Sequence, residues 1–452
     1  MNQTSHPMAG GHKRRTHLKM SNKLKAAALT AAFALTVGAV PALAQDAPAV
    51  PEVSASELAY QGEITFWNTM RDFELAEVQK LIDTWTAVHP GITVKHTAQS
   101  FDTARADYQN AAPAGTAPDI LRADIGWTIG FADDGYLLDL SSVVSDLDDY
   151  ISVPLATATW KGGIYGLPHV TDALGLQCNK ALLAEAGLDA APATWQELVD
   201  AGATISDLDA QKYGFYMRGD SYWAQPFTWA WGGTLYEVAE DGSVTVTVNS
   251  PESVEGWNFL RDSILGTVAP ATWSFPDDYG NMTTGFKAGT IMCVMNGPWQ
   301  VADHLAGEAF ADPSNLVIAP IPEGTAGNTG SPVGGHNYVV YALVADDADK
   351  QAAVLDLLAY INGADAQAYL AQTLGLLPTR NSAYANEAVA ADAIISAWGA
   401  VMQKATNRAG HPKSSDMYLA YSEEFQAFLT GEKTAEEAQA ALEAEWNTLF
   451  GG

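Results

Sequence analysis

Residues 64–97 read ITFWNTMRDFELAEVQKLIDTWTAVHPGITVKHT, and their pattern decides the fold class. Ile64-Thr65-Phe66-Trp67 is a short β-branched and aromatic run that predicts a strand. Leu75, Val78, Leu81, Ile82, Trp85 and Val88 then recur at three- and four-residue spacing, the period of one helix face. Pro90-Gly91 ends that helix, and Ile92 to Thr97 predicts a second strand. A helix around Asp102–Ala111 and a third strand starting at Asp119-Ile120-Leu121 continue the series. The order βαβαβ predicts an α/β fold with a parallel sheet and right-handed crossovers. Ligands of such sheets bind beyond the carboxyl ends of the strands. The first strand delivers Asn68, Thr69, Arg71 and Glu74 to that edge, and the third delivers Asp124 and Trp127.

The chain has 452 residues, with 53 Asp+Glu, 23 Lys+Arg, 13 Trp and 2 Cys. That length exceeds what one ordinary core serves, so two lobes are expected. A hydrophobic content of 48% excludes a disordered chain. A mean hydropathy of −0.04 excludes a multi-span membrane protein. Two cysteines exclude a disulfide scaffold and a CxxC metal or redox site. Residues 1–44 hold six basic residues and no acid, which leaves 17 basic against 53 acidic groups beyond them, a formal charge of −36. Such a surface repels phosphates and argues against nucleic acid or anionic lipid as a partner. A neutral or cationic small ligand is compatible with it.

Residues 23–44 predict a secretory signal. Lys23 and Lys25 begin it, Ala26 to Val40 is its apolar stretch, and Ala42-Leu43-Ala44 is a small-x-small cleavage site before Gln45. The stretch is short and Ala-rich for a membrane anchor, and no cysteine near the cut offers a lipid attachment point. A periplasmic location is expected. Arg14-Arg15-Thr16-His17-Leu18-Lys19 is similar to a twin-arginine export motif, with His17 where an aromatic is usual. A start at Met20 would remove that motif, so both export routes stay open. Residues 45–60, QDAPAVPEVSASELAY, predict a flexible tether.

The middle of the chain is dense in aromatics, with Tyr213, Phe215, Tyr216, Tyr222, Trp223, Phe227, Trp229, Trp231 and Tyr236 in one stretch. Ile291 to Met295 predicts a strand that enters Asn296-Gly297-Pro298-Trp299, with Pro298 in the first turn of a helix. Thr434 and Glu437 form a capping box for a last helix that buries Leu442, Trp446 and Leu449.

Catalysis finds little support. There is no GxSxG elbow, no HExxH and no Walker sequence, and the histidines at 89, 96, 169, 304, 336 and 411 lack metal-ligand spacing. The Gly-rich run 324–335 reads as a loop, and Asp146–Asp149 lacks the glycine and terminal Glu of an EF-hand. No cofactor is implied. Carboxylates together with tryptophans fit a carbohydrate site instead. Aromatic rings cover the C–H faces of a sugar, and an ionised carboxylate accepts from two neighbouring hydroxyls. Glu74, Asp124, Trp127, Asp172 and Trp299 are the candidates. Each has a plainer reading: Glu74 as a helix-start acid, Asp124 as a helix cap, Trp127 and Trp299 as core residues. Asp172 has the weakest plain reading, because it interrupts the apolar run Val170 to Leu176 and a carboxylate there needs a partner.

These segments together resemble the extracellular solute-binding proteins of sugar ABC importers, most of all the maltose/maltodextrin-binding branch. The segments are ITFWNTMRDFELAEVQKLIDTW (64–85), GTAPDILRADIGWTIGFADDGYLLDL (115–140), IYGLPHVTDALGLQCNKALL (164–183), TWQEL (194–198), GFKAGTIMCVMNGPWQ (285–300) and LGLLPTRNSAY (374–384). The resemblance implies a two-lobed periplasmic binding protein fold, each lobe a mainly parallel sheet flanked by helices, with the ligand in the cleft between. One lobe would hold about 60–168 and 317–364, the other about 169–316 and 365–452. It makes Asp172 a sugar-ligating acid and Trp299 a stacking ring, and places Tyr418 in HPKSSDMYLAY where the branch often has Trp. Asp124 and Trp127 fall where relatives supply an acid and a ring, at a different spacing, and Glu74 and Arg380 match more loosely. It also sets Cys178 and Cys293 on neighbouring strands, free to join in an oxidising compartment or to stay two small buried residues. The implied function is non-enzymatic: a monomeric receptor captures maltose, maltodextrin or a related α-glucoside, trehalose included, and delivers it to a membrane permease. The same fold binding a polyamine or a glycerol phosphodiester is the alternative, and a secreted glycosidase is a remoter one.

Overall fold

The computed structural model describes residues 48–451, apart from 240–242, 274, 276 and 409. The expected signal sequence and both candidate starts lie outside the described residues. Among those described, no helix is long and apolar enough to cross a membrane.

Two sheets organise the chain. The first has five strands in the order Ile92–Ala98, Gly62–Asn68, Ile120–Asp124, Val333–Val340, Leu167–Ala173. The βαβαβ unit forms as its spacing predicted, with helices Asp72–Val88 and Phe101–Ala111 between parallel strands. The remaining two strands pair antiparallel, so this sheet is mixed rather than mainly parallel. The second sheet runs Leu316–Ala319, Gly175–Asn179, Ile291–Asn296, Tyr213–Tyr216, with one parallel pairing, Ile291–Asn296 on Tyr213–Tyr216. The cause is connectivity: strands that return from the other lobe or directly from a neighbour arrive without the helical crossover that parallel pairing requires.

Each sheet has its own core. Ile64, Phe66, Trp85, Tyr108 and Leu357 belong to the first; Trp195, Phe215, Trp257 and Trp446 belong to the second. The crossings fall later than the expected boundaries. Strand Leu167–Ala173 stays in the first sheet, only Leu174 separates it from Gly175–Asn179 in the second, and Leu316–Ala319 is still hydrogen-bonded to the second. The Gly-rich run ends in strand, since Val333 to Gly335 pair with Thr171 to Ala173.

Four other expectations are settled by packing and bonding. The aromatic middle is mostly the second core: Phe215, Trp223, Phe227 and Trp231 are buried, while Tyr222 faces the first lobe. Residues 50–60 are laid on the first lobe rather than hanging free. Tyr360 donates to Pro51 O, Ser56 donates to Asp356 at 2.6 Å, and Val50, Val53, Leu58 and Tyr60 pack on the first core. The capping box forms, with Thr434 N–H donating to Glu437 at 2.9 Å and Glu437 N–H to Thr434 Oγ1 at 3.2 Å. Cys178 and Cys293 oppose one another in the second sheet and are joined by a disulfide.

Candidate functional site

The site begins on one face of the first sheet. Asp124 ends its strand opposite His336, and Asp172 stands opposite Gly334. Residues two apart on a strand share a face, so Asp124, His336 and Asp172 lie side by side there. Gly334 makes the room: a Cβ on it would sit 2.1 Å from Asp172 Oδ1 and 2.6 Å from Tyr222 Oη. Behind the acids Arg122 is buried, donating to Thr69 Oγ1 and His169 Nδ1 at 3.2 Å each.

The second lobe supplies the opposite wall. Asp220 caps helix Ser221–Trp229, which puts Tyr222 at its start, and Tyr222 Oη lies 3.2 Å from Asp172 Oδ1 and 3.0 Å from Pro332 O. Arg408 donates through Nε to Val333 O at 2.9 Å, and its Nη2 lies 3.9 Å from Asp124 Oδ1. Its guanidinium is 5.4 Å from the Tyr222 ring and 5.2 Å from that of Tyr418. Burial, and next the charge of Asp124, push the Asp172 carboxyl up to about 7 against the pull of Arg408. Burial also raises Asp124, with Arg408 opposing. Both ring nitrogens of His336 are buried with no hydrogen-bond partner among the described residues, and its ring is edge-on to Phe101. A cavity of about 150 Å³ adjoins this group, lined by Ile125, Gly126 and Thr157 on one side and by Arg408, Ser414 and Tyr418 on the other.

Trp299 is in a second group that touches the first through Tyr222, whose ring centroid is 6.4 Å away. It leaves strand Ile291–Asn296 in a 3₁₀ turn that starts at Pro298. Its Nε1 donates to Tyr279 Oη at 2.9 Å, and Tyr279 Oη donates to Gln300 Oε1 at 2.9 Å. Arg71, from the first lobe, donates to both Gln300 and Tyr279.

The structure therefore brings Asp124, Asp172, Trp299 and Tyr418 together. It does not bring Arg380, whose donors go to Asp146, Asp149, Tyr150 Oη and Asn362 O. Glu74 is buried and accepts from Arg71 N–H at 3.0 Å as a helix-start acid. Trp127 belongs to the first core, and it is Phe101, tilted against it with ring centroids 5.1 Å apart, that stays exposed.

The fold that carries these residues has counterparts in known proteins. Residues 80–397 match the family model of the bacterial extracellular solute-binding protein. The chain belongs to that family. This solute-binding protein is 32% identical to the GacH receptor of Streptomyces glaucescens, solved unliganded and in complex with acarbose and an acarbose homologue. The likeness covers 87% of this chain and 99% of that one, with a TM-score of 0.80. A binding protein of Brucella abortus is 27% identical over 266 residues, 56% of this chain and 61% of its own length. The maltodextrin-binding protein MdxE of Bacillus subtilis is 26% identical over 231 residues, 49% of this chain and 52% of its own. The match thus spans between half and two thirds of these two curated relatives.

Sequence reasoning missed three members of the solute-binding protein's candidate site. Tyr222 was hidden in the aromatic middle, Arg408 has no motif around it, and His336 was weighed only as a metal ligand. Among the described residues no cluster of His, Cys, Asp and Glu could hold a metal ion. The one signal available was Val333-Gly334-Gly335-His336, two glycines inside a strand, which mark a close approach.

Proposed function

We propose that this protein is the binding component of a sugar ABC importer and that it takes maltose, a maltodextrin or a related α-glucoside. The observation that carries the reading is the placing of Asp172 and Asp124 on one lobe against Tyr222, Arg408, Tyr418 and Trp299 on the other. The rings suit the apolar faces of a sugar, and the carboxylates suit its hydroxyls. Acarbose in the Streptomyces receptor and maltodextrin in the Bacillus relative support the α-glucoside class. A ligand held by both lobes binds the closed arrangement more tightly and shifts the population toward it. A membrane permease, reached from the periplasmic side, would then receive the closed complex from a monomeric carrier.

The test is calorimetry of the purified chain with maltose, maltotriose, trehalose and acarbose, with spermidine and glycerophosphocholine as counter-ligands. Saturable binding of an α-glucoside, lost in Asp172→Ala, is expected. A response to spermidine or glycerophosphocholine alone would replace the sugar reading. Glucose released from maltodextrin by the parent but not by Asp172→Ala would replace it with a glycosidase.

A further inference from the structure

Four hydrogen bonds meet at Tyr279 Oη, and one of them crosses between the lobes. It accepts from Trp299 Nε1 at 2.9 Å, from Arg71 Nη2 at 3.3 Å and from Asn296 Nδ2 at 3.5 Å, and donates to Gln300 Oε1 at 2.9 Å. Arg71 Nη1 also donates to Gln300 Oε1, which closes a ring of three side chains. Gln300 is in turn held through Nε2 by Asp303, itself paired with Lys287 at 2.5 Å. The acceptors are therefore fixed by the second lobe alone, and Arg71 is the removable member. Its backbone lies in the turn between strand Gly62–Asn68 and helix Asp72–Val88, so its place is set by the first lobe. The guanidinium also lies 5.7 Å from the centre of the Tyr279 ring and 5.6 Å from that of Phe73.

We propose that Arg71 is a positioning residue that latches the closed arrangement and, through Tyr279, sets the Trp299 ring at the moment of closure. A charged donor on two neutral acceptors gains more than a neutral pair, so the contact favours the lobes-together state before any solute contributes. Apparent affinity scales with the fraction of molecules in the competent state. Arg71 thus strengthens capture without having to touch the solute. The inference rests on the closure step of the proposed function and not on which solute is bound.

Arg71→Met keeps the length of the side chain and removes the donors. Small-angle scattering of the solute-free protein should show a larger radius of gyration for Arg71→Met than for the parent. Maltotriose should bind the variant about tenfold more weakly, chiefly through faster release, as expected for losing charged hydrogen bonds. Tyr279→Phe should give the same opening and in addition alter the Trp299 emission. The double variant should show less than the summed loss, because both remove one contact. An unchanged radius in solute-free Arg71→Met overturns the latch, whatever its affinity; a weaker affinity with an unchanged radius would make Arg71 a direct solute contact instead. Should maltotriose fail to bind the parent, the sugar reading falls while the scattering comparison still decides the latch.

Discussion

Two arginines of this protein, Arg380 buried and Arg408 half-buried, sit among aspartates and tyrosines, and they differ in how completely they are satisfied. Arg380 reaches Asp146 at 2.6 Å, Asp149 at 3.3 Å, Tyr150 Oη at 2.9 Å and Asn362 O at 2.8 Å, with its guanidinium 4.2 Å from the Tyr150 ring. Arg408 has one carboxylate within 4 Å, Asp124 at 3.9 Å, and otherwise faces rings and a carbonyl. The acids record the same difference. Burial pushes Asp149 up, but Ser382 and Arg380 more than offset it and hold the carboxyl below its ordinary range. Asp172 is raised because burial and Asp124 outweigh Arg408 and Tyr222. A saturated ion-pair knot stabilises a fold. A half-buried charge group with loose geometry, beside a histidine without a partner among the described residues, retains capacity for something else to bind.

Removing Arg380 should have the largest effect. Arg380→Ala is expected to cost about 2–4 kcal/mol of stability, the range for a large buried side chain that loses its hydrogen bonds. Denaturant melts would show it, and the folded fraction should still bind the solute normally. A loss of binding with stability intact would dissolve the contrast between the two arginines. Asp172→Ala should reverse that pattern, weakening α-glucoside binding by about 1–3 kcal/mol without lowering the melting temperature at neutral pH. Calorimetry and thermal melts on the same preparation separate the two.

Changes in pH sharpen the comparison further, because the two acids act with opposite signs. Asp172 binds its proton more tightly in the folded state, so its contribution to stability is present at low pH and is lost as pH rises from about 4 toward 7. Asp149 contributes above its unfolded range and loses that contribution as pH falls below about 4. Asp172→Asn should therefore flatten the stability curve between those limits, and Asp149→Asn should flatten only its acid limb. Solute affinity should rise with pH toward about 7, since a hydroxyl-accepting carboxylate must be ionised. The smallest effect is expected from Tyr222→Phe. Removing a hydroxyl that favours the Asp172 carboxylate should move the midpoint of that affinity profile to higher pH, and a midpoint that moved down would contradict the assigned bond.

The sequence made the fold readable where the signal was local. Helix period in 75–88, strand runs on either side of it and the Thr434–Glu437 cap each predict their element, and each forms. Asp172 was legible for a similar reason, since a carboxylate inside an apolar strand has no ordinary explanation. Arg380 and Trp127 misled because a motif records position in the chain and not what the side chain faces. Tyr222 and Arg408 gave no local signal at all, because their partners come from the other lobe. The Tyr222–Asp172 contact spans 50 residues, and Arg408 meets Val333 from 75 residues away. The boundary between lobes was misplaced because hydrogen-bond partnership, invisible in the residues of Leu316–Ala319, decides which sheet a strand joins.

Leu174 gives this geometry a mechanical meaning. It is fully buried and is the single residue between a strand of one sheet and a strand of the other. The two halves are therefore joined there by an almost unbroken ribbon, and turning one half against the other must twist that ribbon. Points near an axle travel least. Asp172 is two residues from Leu174 and would sweep a short arc in the proposed closure, so its carboxylate would keep its bearing while the residues that meet it travelled from farther out.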